Sequence, residues 1–334
     1  MTPFDNQFSK STVNLNDIYL TSNIYLYPYA RYAFLELLEK LTIKSIYLPS
    51  FICSDILAPI NQLGIQYIFY EVDKDLNPIL EDIKCDSILS VNYFGFSSDV
   101  DVFNKYKKKY DAVFIEDNAH GFLSQDANGL LLGTRGDFGL LSIRKTIFLP
   151  NGAALLVNNK KYNNIKFSSN NFKISSEDLQ YRKKLVLKKL FIIKYIGICF
   201  VLLRRIIRYV RNGSYHPFPD MESEFKLPSN RFITPILKDH NLNIDIDFER
   251  KRRQQMFEMI QKWALMFSVK PISNLYDNVI PYEFAFIDNG NYKEFEKYLF
   301  LKGFFILPWP NLPAEVSKKK HEFYKDVKVV PFLW

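Results

Sequence analysis

Residues 112–122, AVFIEDNAHGF, place an acid and a histidine where a buried strand should stop. Ala112, Val113, Phe114 and Ile115 form a short apolar run rich in β-formers, which suits a strand covered on both faces. Glu116, Asp117 and His120 follow it. In open α/β sheets, ligands collect outside the carboxyl ends of the strands. An aspartate placed there can hold a proton on a ring nitrogen, and a histidine one turn further on can reach a neighbouring oxygen. That pair is half of a pyridoxal phosphate site. The other half is a lysine, and SIRKTIFLPNGAALLV (142–157) offers Lys145. Each residue also has a plainer reading. Asp117 could cap a turn, and His120 could hydrogen-bond within the core. Lysine and arginine together number 44 in 334 residues, so a short window holding one is no surprise. The neighbour Arg144 is no substitute, because a guanidinium stays protonated and cannot form an imine under ordinary conditions.

The elements that must position these side chains are legible as alternating patterns. Tyr32, Leu35, Leu38 and Leu41 fall at helical spacing over 31–41. Strands are expected at 45–51, breaking at Pro49, at 66–73, at 87–95 ending near Asn92, and at 137–143 and 153–159. Helices are expected at 54–63, limited by Pro59, and at 99–110. Repeated units of this kind predict an α/β fold with a mostly parallel, doubly wound sheet. Residues 160–180 read as a polar loop, and GSYHPFPD (213–220) as the turn that closes the first domain. The expected division is a large α/β domain over 1–220 and a small α+β domain over 221–334. In the latter a helical pattern starts near 229 and is clearest at 247–267. It is followed by a strand at 282–287, a helix at 291–303, a strand at 304–307 and a last strand near 327–332.

Composition narrows the class. Hydrophobic residues make up 48% and charged residues 24%, as in an ordinary globular protein. Three widely spaced cysteines (Cys53, Cys85, Cys199) form no CxxC pair, which argues against a disulfide framework or a zinc site. The N-terminus lacks a basic stretch followed by an apolar one, so no signal peptide is expected and a cytoplasmic location is the default. The net charge of +8 has one source. Ten lysines and arginines, with no acid, lie in 181–211, and the remainder carries 34 basic against 36 acidic residues. A nucleic-acid reader spreads its positive charge over a folded face, so nucleic acid is not the expected partner.

The order of motifs resembles the DegT/DnrJ/StrS-type sugar aminotransferases, a family of fold-type-I, pyridoxal phosphate-dependent enzymes that are mostly homodimers. The segments that carry the resemblance are YLPSFICSDILAPINQLGIQYIFYEVD (47–73), VNYFGFSSDVD (91–101), IEDNAHGF (115–122), GDFGLLS (136–142), NGAALLV (151–157) and NRF (230–232). It runs from about residue 27 to the end, interrupted by 160–228. The resemblance implies that Asp117 pairs with the pyridine nitrogen, that His120 lies near the ring oxygen, and that Lys145 makes the covalent link to the cofactor. It also implies that Ser142 and Arg31 bind the phosphate, Arg31 standing where the family usually has Thr or Ser before a helix. Cys53 stands where an aromatic normally stacks on the ring, with Phe51 two residues away. Asn230, or Ser229 in its place, would reach across the dimer to the phosphate. Lys145 keeps the family's distance to Gly152, seven residues on, but sits only three residues after Ser142, closer than the family pattern. PNGAA (150–154) replaces the family's GEGG stretch. The chain therefore reads as a divergent member.

By the same resemblance the expected activity is transfer of an amino group, from glutamate, onto a nucleotide- or lipid-linked keto-sugar for a surface polysaccharide. The alternatives are a relative with other chemistry, such as a dehydratase, and a non-catalytic, membrane-associated scaffold. Trp309, Asn311 and His321 are expected near the substrate. Residues 183–211 need a separate account. Their longest charge-free run, Tyr195 to Leu203, is nine residues, and crossing a bilayer takes ~20. Two readings remain open: a helical segment in the membrane interface, held by its flanking cations, or a hairpin packed on the fold or on a partner.

Overall fold

A computed structural model describes residues 11–168, 171–190, 199, 203–208, 210–211, 222–319 and 323–332. Its frame is one eight-stranded sheet in the order β2-β9-β8-β7-β6-β3-β4-β5. The strands are β2 (Asn23–Tyr27), β3 (Ser45–Pro49), β4 (Gln66–Val72), β5 (Pro78–Ile79), β6 (Ser87–Val91), β7 (Val113–Asn118), β8 (Phe138–Leu141) and β9 (Ala153–Val157). Strand β1 (Thr12–Asn14) lies apart and pairs with β10 (Asn241–Asn243). Within the large sheet β4, β3, β6, β7 and β8 are parallel, while β5, β9 and β2 run antiparallel to their neighbours. The chain passes from β3 to β4 on one side and then returns to β6 on the other. The order thus reverses between β3 and β6, the kind of switch point where an open sheet leaves a crevice at its carboxyl edge.

Burial explains why the central strands read as unbroken apolar runs. Every residue of β6, β8 and β9 is buried. Ala153, Leu155 and Val157 face one hydrophobic core, and Ala154 and Leu156 face a second on the other side of the sheet. A sheet covered on both faces has no polar side to alternate with. The helices are α1 (Leu15–Ile18), α2 (Ala30–Lys40), α3 (Leu57–Leu63), α4 (Val100–Tyr110), α5 (Ile143–Thr146) and α6 (Ser176–Leu190). Helix α2 buries Ala33, Phe34, Leu37 and Leu38. Helix α4 starts where the Asp99 side chain accepts from Asp101 N at 3.0 Å, and it carries three lysines in its last turn, against the helix dipole. Pro59 sits in the first turn of α3, where a missing N–H costs nothing.

The C-terminal part has a small antiparallel sheet, β11 (Glu283–Ile287), β13 (Val327–Pro331) and β12 (Leu307–Pro308), in that order. A long helix, Ile246–Leu265, and a shorter one, Tyr292–Leu301, pack on it. Phe257, Ile260, Phe284, Phe295 and Val329 join the same core as β3 and β6, so apolar packing is continuous between the two sheets.

Several expected boundaries move. Strand β7 runs on to Asn118 rather than stopping before Glu116, because Glu116 and Asn118 are paired inside. Helix α6 begins at Ser176, within the stretch expected to be loop, with Ser175 and Asp178 bonded side chain to side chain across its first turn. The helical pattern from 229 resolves into a 3-10 turn, Pro235–His240, and then β10, with the long helix beginning only at Ile246 behind its Asp245 cap. In place of a strand at 304–307, only Leu307 and Pro308 pair.

Candidate active site

A cavity opens beyond the carboxyl ends of β3, β6, β7 and β8 and is lined by Cys53, Val91, Asp117, His120, Ser142 and Lys145, with Tyr29 and Arg31 from the start of α2. Six of the seven sequence-derived site residues (Lys145, Asp117, His120, Ser142, Arg31 and Cys53) therefore meet in one place. The seventh does not. The Asn230 amide donates to Glu177 Oε2 at 2.8 Å, and its oxygen accepts from Phe232 N at 3.0 Å, outside the cavity of its own chain.

Strand alternation sorts the two acids of β7. Glu116 points away from the cavity into a closed network. Arg135 donates to it from Nε at 2.8 Å, from Nη2 at 2.5 Å and from its backbone N at 2.9 Å, and Asn92 Nδ2 adds a bond at 2.8 Å. Glu116 is thus a structural counter-ion. The Asp117 carboxylate points into the cavity and accepts from Ala119 N at 2.9 Å. Burial pushes its carboxyl up to about 6, and the nearby Lys145 partly offsets this. A carboxyl so placed gains most from a positively charged partner.

His120 is held in one orientation. Its Nδ1 accepts from the Phe94 N–H at 3.4 Å, which leaves the ring proton on Nε2 in the neutral form. Burial first, and then the Lys145 charge, hold the imidazole well below its ordinary value. The ring lies on Tyr282 with centroids 4.5 Å apart, and Trp309 meets it edge-on at 5.4 Å. Phe94 adopts φ 56°, a left-handed conformation that costs a non-glycine residue energy. Its N–H goes to His120, and its carbonyl accepts from Tyr282 N at 2.7 Å. The next residue, Gly95, has φ 94°, and a Cβ there would lie 2.6 Å from the Ile280 carbonyl. Strained backbone, glycine and aromatic stack together fix the histidine.

Lys145 sits on α5, directly after β8. Its Nζ lies 3.3 Å from His120 Nε2. The helix is short but anchored. Lys145 N donates to Ser142 O at 3.0 Å, and Arg144 N to Gly152 O at 3.2 Å. The buried Arg253 donates from Nη2 to the Thr146 carbonyl at 2.7 Å, and Glu249 holds Arg253 at 2.6 Å. The long helix thereby holds the residue after the lysine.

The third group of contacts is cationic. Arg31 pairs with Asp55 at 3.7 Å, and Arg144 stacks on the Tyr29 ring at 5.0 Å. The buried Arg144 Nε has no hydrogen-bond partner. Helix α2 begins at Tyr29 with no side chain capping its free N–H groups. An orphaned guanidinium nitrogen, a second arginine, the Ser142 hydroxyl and an uncapped helix start are what a phosphate would satisfy. With Asp117 for a pyridinium and Lys145 for an aldehyde, the donor set fits pyridoxal phosphate. Cys53 lines the wall as a neutral thiol, pushed up to about 12 by burial and by Asp55.

Some neighbours were not anticipated. Tyr29, Asp55 and Arg144 line the cavity from the cap of α2, a 3-10 turn after β3 and α5. Glu283, at the start of β11, is buried with Oε2 unpaired. Burial pushes its carboxyl up to about 7, with Lys145 and then Arg253 pulling the other way. Trp309 lines the cavity as expected, whereas Asn311 binds Ser54 through its amide, at 3.0 Å, and through its carbonyl. His321 lies outside the described residues. No cluster of possible metal ligands and no disulfide occurs among the described residues.

Comparison with known proteins agrees with this geometry. Residues 44–190 match the model of the DegT/DnrJ/EryC1/StrS aminotransferase family, which bears out, over that stretch, the resemblance read from the sequence. No curated protein matches the chain. Among solved structures, Helicobacter pylori PseC, an aminotransferase involved in the biosynthesis of pseudoaminic acid, superposes with TM-score 0.60 at 14% identity, over 98% of this chain and 87% of that one. The sugar aminotransferase CalS13 from Micromonospora echinospora gives 0.59 at 15%, over 92% and 82%. The Escherichia coli GDP-4-keto-6-deoxy-D-mannose-3-dehydratase, solved with hydrated PLP, gives 0.54 at 16%, over 95% and 85%. The fold is that of the fold-type-I aminotransferases.

Proposed function

We propose that this chain, with the DegT/DnrJ/EryC1/StrS pattern over 44–190, is a pyridoxal phosphate-dependent aminotransferase that moves an amino group from glutamate onto a keto-sugar carried by a nucleotide or a lipid. The observation that carries the reading is the meeting of Lys145 Nζ, His120 and Asp117 in one cavity that also holds an unpaired arginine nitrogen. When bound, the cofactor supplies a conjugated ring that accepts the electron pair freed at a substrate carbon. Asp117 keeps a proton on the ring nitrogen, which makes that acceptance favourable. His120 directs its Nε2 proton toward the ring oxygen. Arg31, Arg144, Ser142 and the start of α2 hold the phosphate. Lys145 gives the covalent attachment and, once released, moves a proton to and from the substrate carbon. In a homodimer, Asn230 would serve the partner's phosphate only by giving up its bond to Glu177.

The same fold hosts a dehydratase, so fold alone does not choose the reaction. Glutamate chooses. Purified protein loaded with pyridoxal phosphate and mixed with glutamate should convert its visible spectrum to the pyridoxamine form and release one 2-oxoglutarate per site. A lasting cofactor spectrum with no 2-oxoglutarate would exclude glutamate as the amino donor. Absence of any cofactor spectrum points to the non-catalytic alternative.

A further inference from the structure

The basic segment carries a surface that the proposed chemistry does not use. Helical backbone runs through residues 203–208 and 210–211. Leu203, Ile206, Ile207 and Val210 fall at i, i+3, i+4 and i+7, so they form one stripe along the helix. All four are exposed, at 55%, 46%, 44% and 78%. Arg205 lies roughly 150° round the helix from the middle of that stripe. Its guanidinium sits over the Phe305 ring, 3.1 Å from the centroid. The helix therefore turns an arginine toward the body of the protein and its aliphatic residues outward. That is the reverse of how a helix buries itself on a domain in water. Arg204 and Arg211, both exposed, flank the stripe on one side.

We infer that this helix lies in the interface of an anionic lipid bilayer, its aliphatic stripe among the upper acyl chains and Arg204 and Arg211 at the level of the lipid phosphates. Charge complementarity selects this occupant. The chain's whole positive excess is gathered in 181–211, ten cations without one acid, while the remainder is slightly acidic. Exposed Arg182, Lys183 and Lys184 extend it along α6. The groove beside Phe305 continues the same character with Lys293, Lys297 and exposed Leu301, and Glu296 is the one acid among the described residues that line it. Aliphatic residues interleaved with arginines suit acyl chains and lipid phosphates. A single-stranded nucleic acid would stack its bases on exposed aromatic rings, and the described residues of the outward stripe are all aliphatic. No helix of the described residues is long and apolar enough to cross a membrane, which is consistent with a helix lying in its surface.

The inference is independent of the proposed reaction and is tested on the full chain by vesicle flotation. Mixed phosphatidylcholine–phosphatidylglycerol vesicles should carry the protein up the gradient, and phosphatidylcholine alone should carry far less. Arg204→Ala with Arg211→Ala should lower partitioning ~30-fold, from ~1 kcal/mol per cation near an anionic surface. Ile206→Ser with Ile207→Ser should lower it by more than ~100-fold, from the loss of two inserted side chains. Light scattering and circular dichroism of both variants should match the wild type. Failure of the wild type to float with anionic vesicles overturns the inference, as does flotation of the serine variant at the wild-type level. A changed oligomeric state in the serine variant with unchanged lipid binding would assign the stripe to a contact between copies. Binding to a homopolymeric RNA that only the arginine variant loses, without flotation, would assign the surface to nucleic acid.

Discussion

Glu283 makes the stability of the protein fall as pH rises. The carboxyl is buried, one of its oxygens has no partner, and Lys145 and Arg253 offset burial only in part, leaving it pushed up to about 7 from 4.5. Its charge also acts on Cys53 and Tyr282, both of which it pushes up. An acid with a raised folded value binds more protons folded than unfolded between these two limits. Stability therefore declines as pH climbs from 4.5 to 7 and is flat on either side. A rise of about 2.5 units corresponds to about 3 kcal/mol. Glu283→Gln removes the titration and keeps the shape. Urea unfolding of the cofactor-free protein, followed by tryptophan fluorescence at a series of pH values, gives the comparison. The stability difference, variant minus wild type, should rise by about 3 kcal/mol between pH 4.5 and 7.5, whatever fixed cost the buried amide brings. Asp117 titrates in both proteins and cancels in the difference. Parallel curves for the two proteins would refute the reasoning and mean that Glu283 is ionised within the fold.

Three further outcomes follow from particular contacts. Glu116→Ala strips the buried Arg135 of its main counter-ion and should destabilise by ~3–5 kcal/mol in the same unfolding assay. Gly139→Ala drives a Cβ into the Gly133 carbonyl on the neighbouring backbone; a loss of ~3 kcal/mol or more, seen as insoluble expression or a lowered urea midpoint, is expected. Arg144→Met removes the nitrogen that awaits an anion and should weaken pyridoxal phosphate binding ~10- to 100-fold, as a lost charged hydrogen bond does, while leaving affinity for unphosphorylated pyridoxal unchanged in a fluorescence titration.

The central sheet was legible because its strands are covered on both faces, so apolar runs such as SILSV and AALLV stand out without any periodicity to decode. Asp117, His120 and Lys145 were legible because strand ends in such sheets are where ligands collect. The flanking strands β1, β2, β5 and β10 were not, since short edge strands carry little more pattern than loops. The role of Glu116 was not legible, because its partner Arg135 lies 19 residues on and only the fold brings the two together. Arg144 could be placed only with Tyr29, more than a hundred positions away in the chain, in view. The helix from 246 was overextended toward 229 because Ile233, Leu237 and Leu242 are apolar at near-helical spacing. In the fold they belong to the second core, beneath a 3-10 turn and a strand. The outward stripe at 203–210 was hidden for the opposite reason. Its apolar residues look like burial in sequence, and only their exposure and the anchoring of Arg205 show which way they face.

The most direct test of the account is the identity of the lysine. Protein incubated with pyridoxal phosphate, reduced with borohydride and digested should yield one peptide bearing the phosphopyridoxyl mass, with the modification on Lys145 and its yield abolished in Lys145→Ala. A label on another lysine, or no stable label at all, would contradict the assignment of this cavity as the seat of the chemistry.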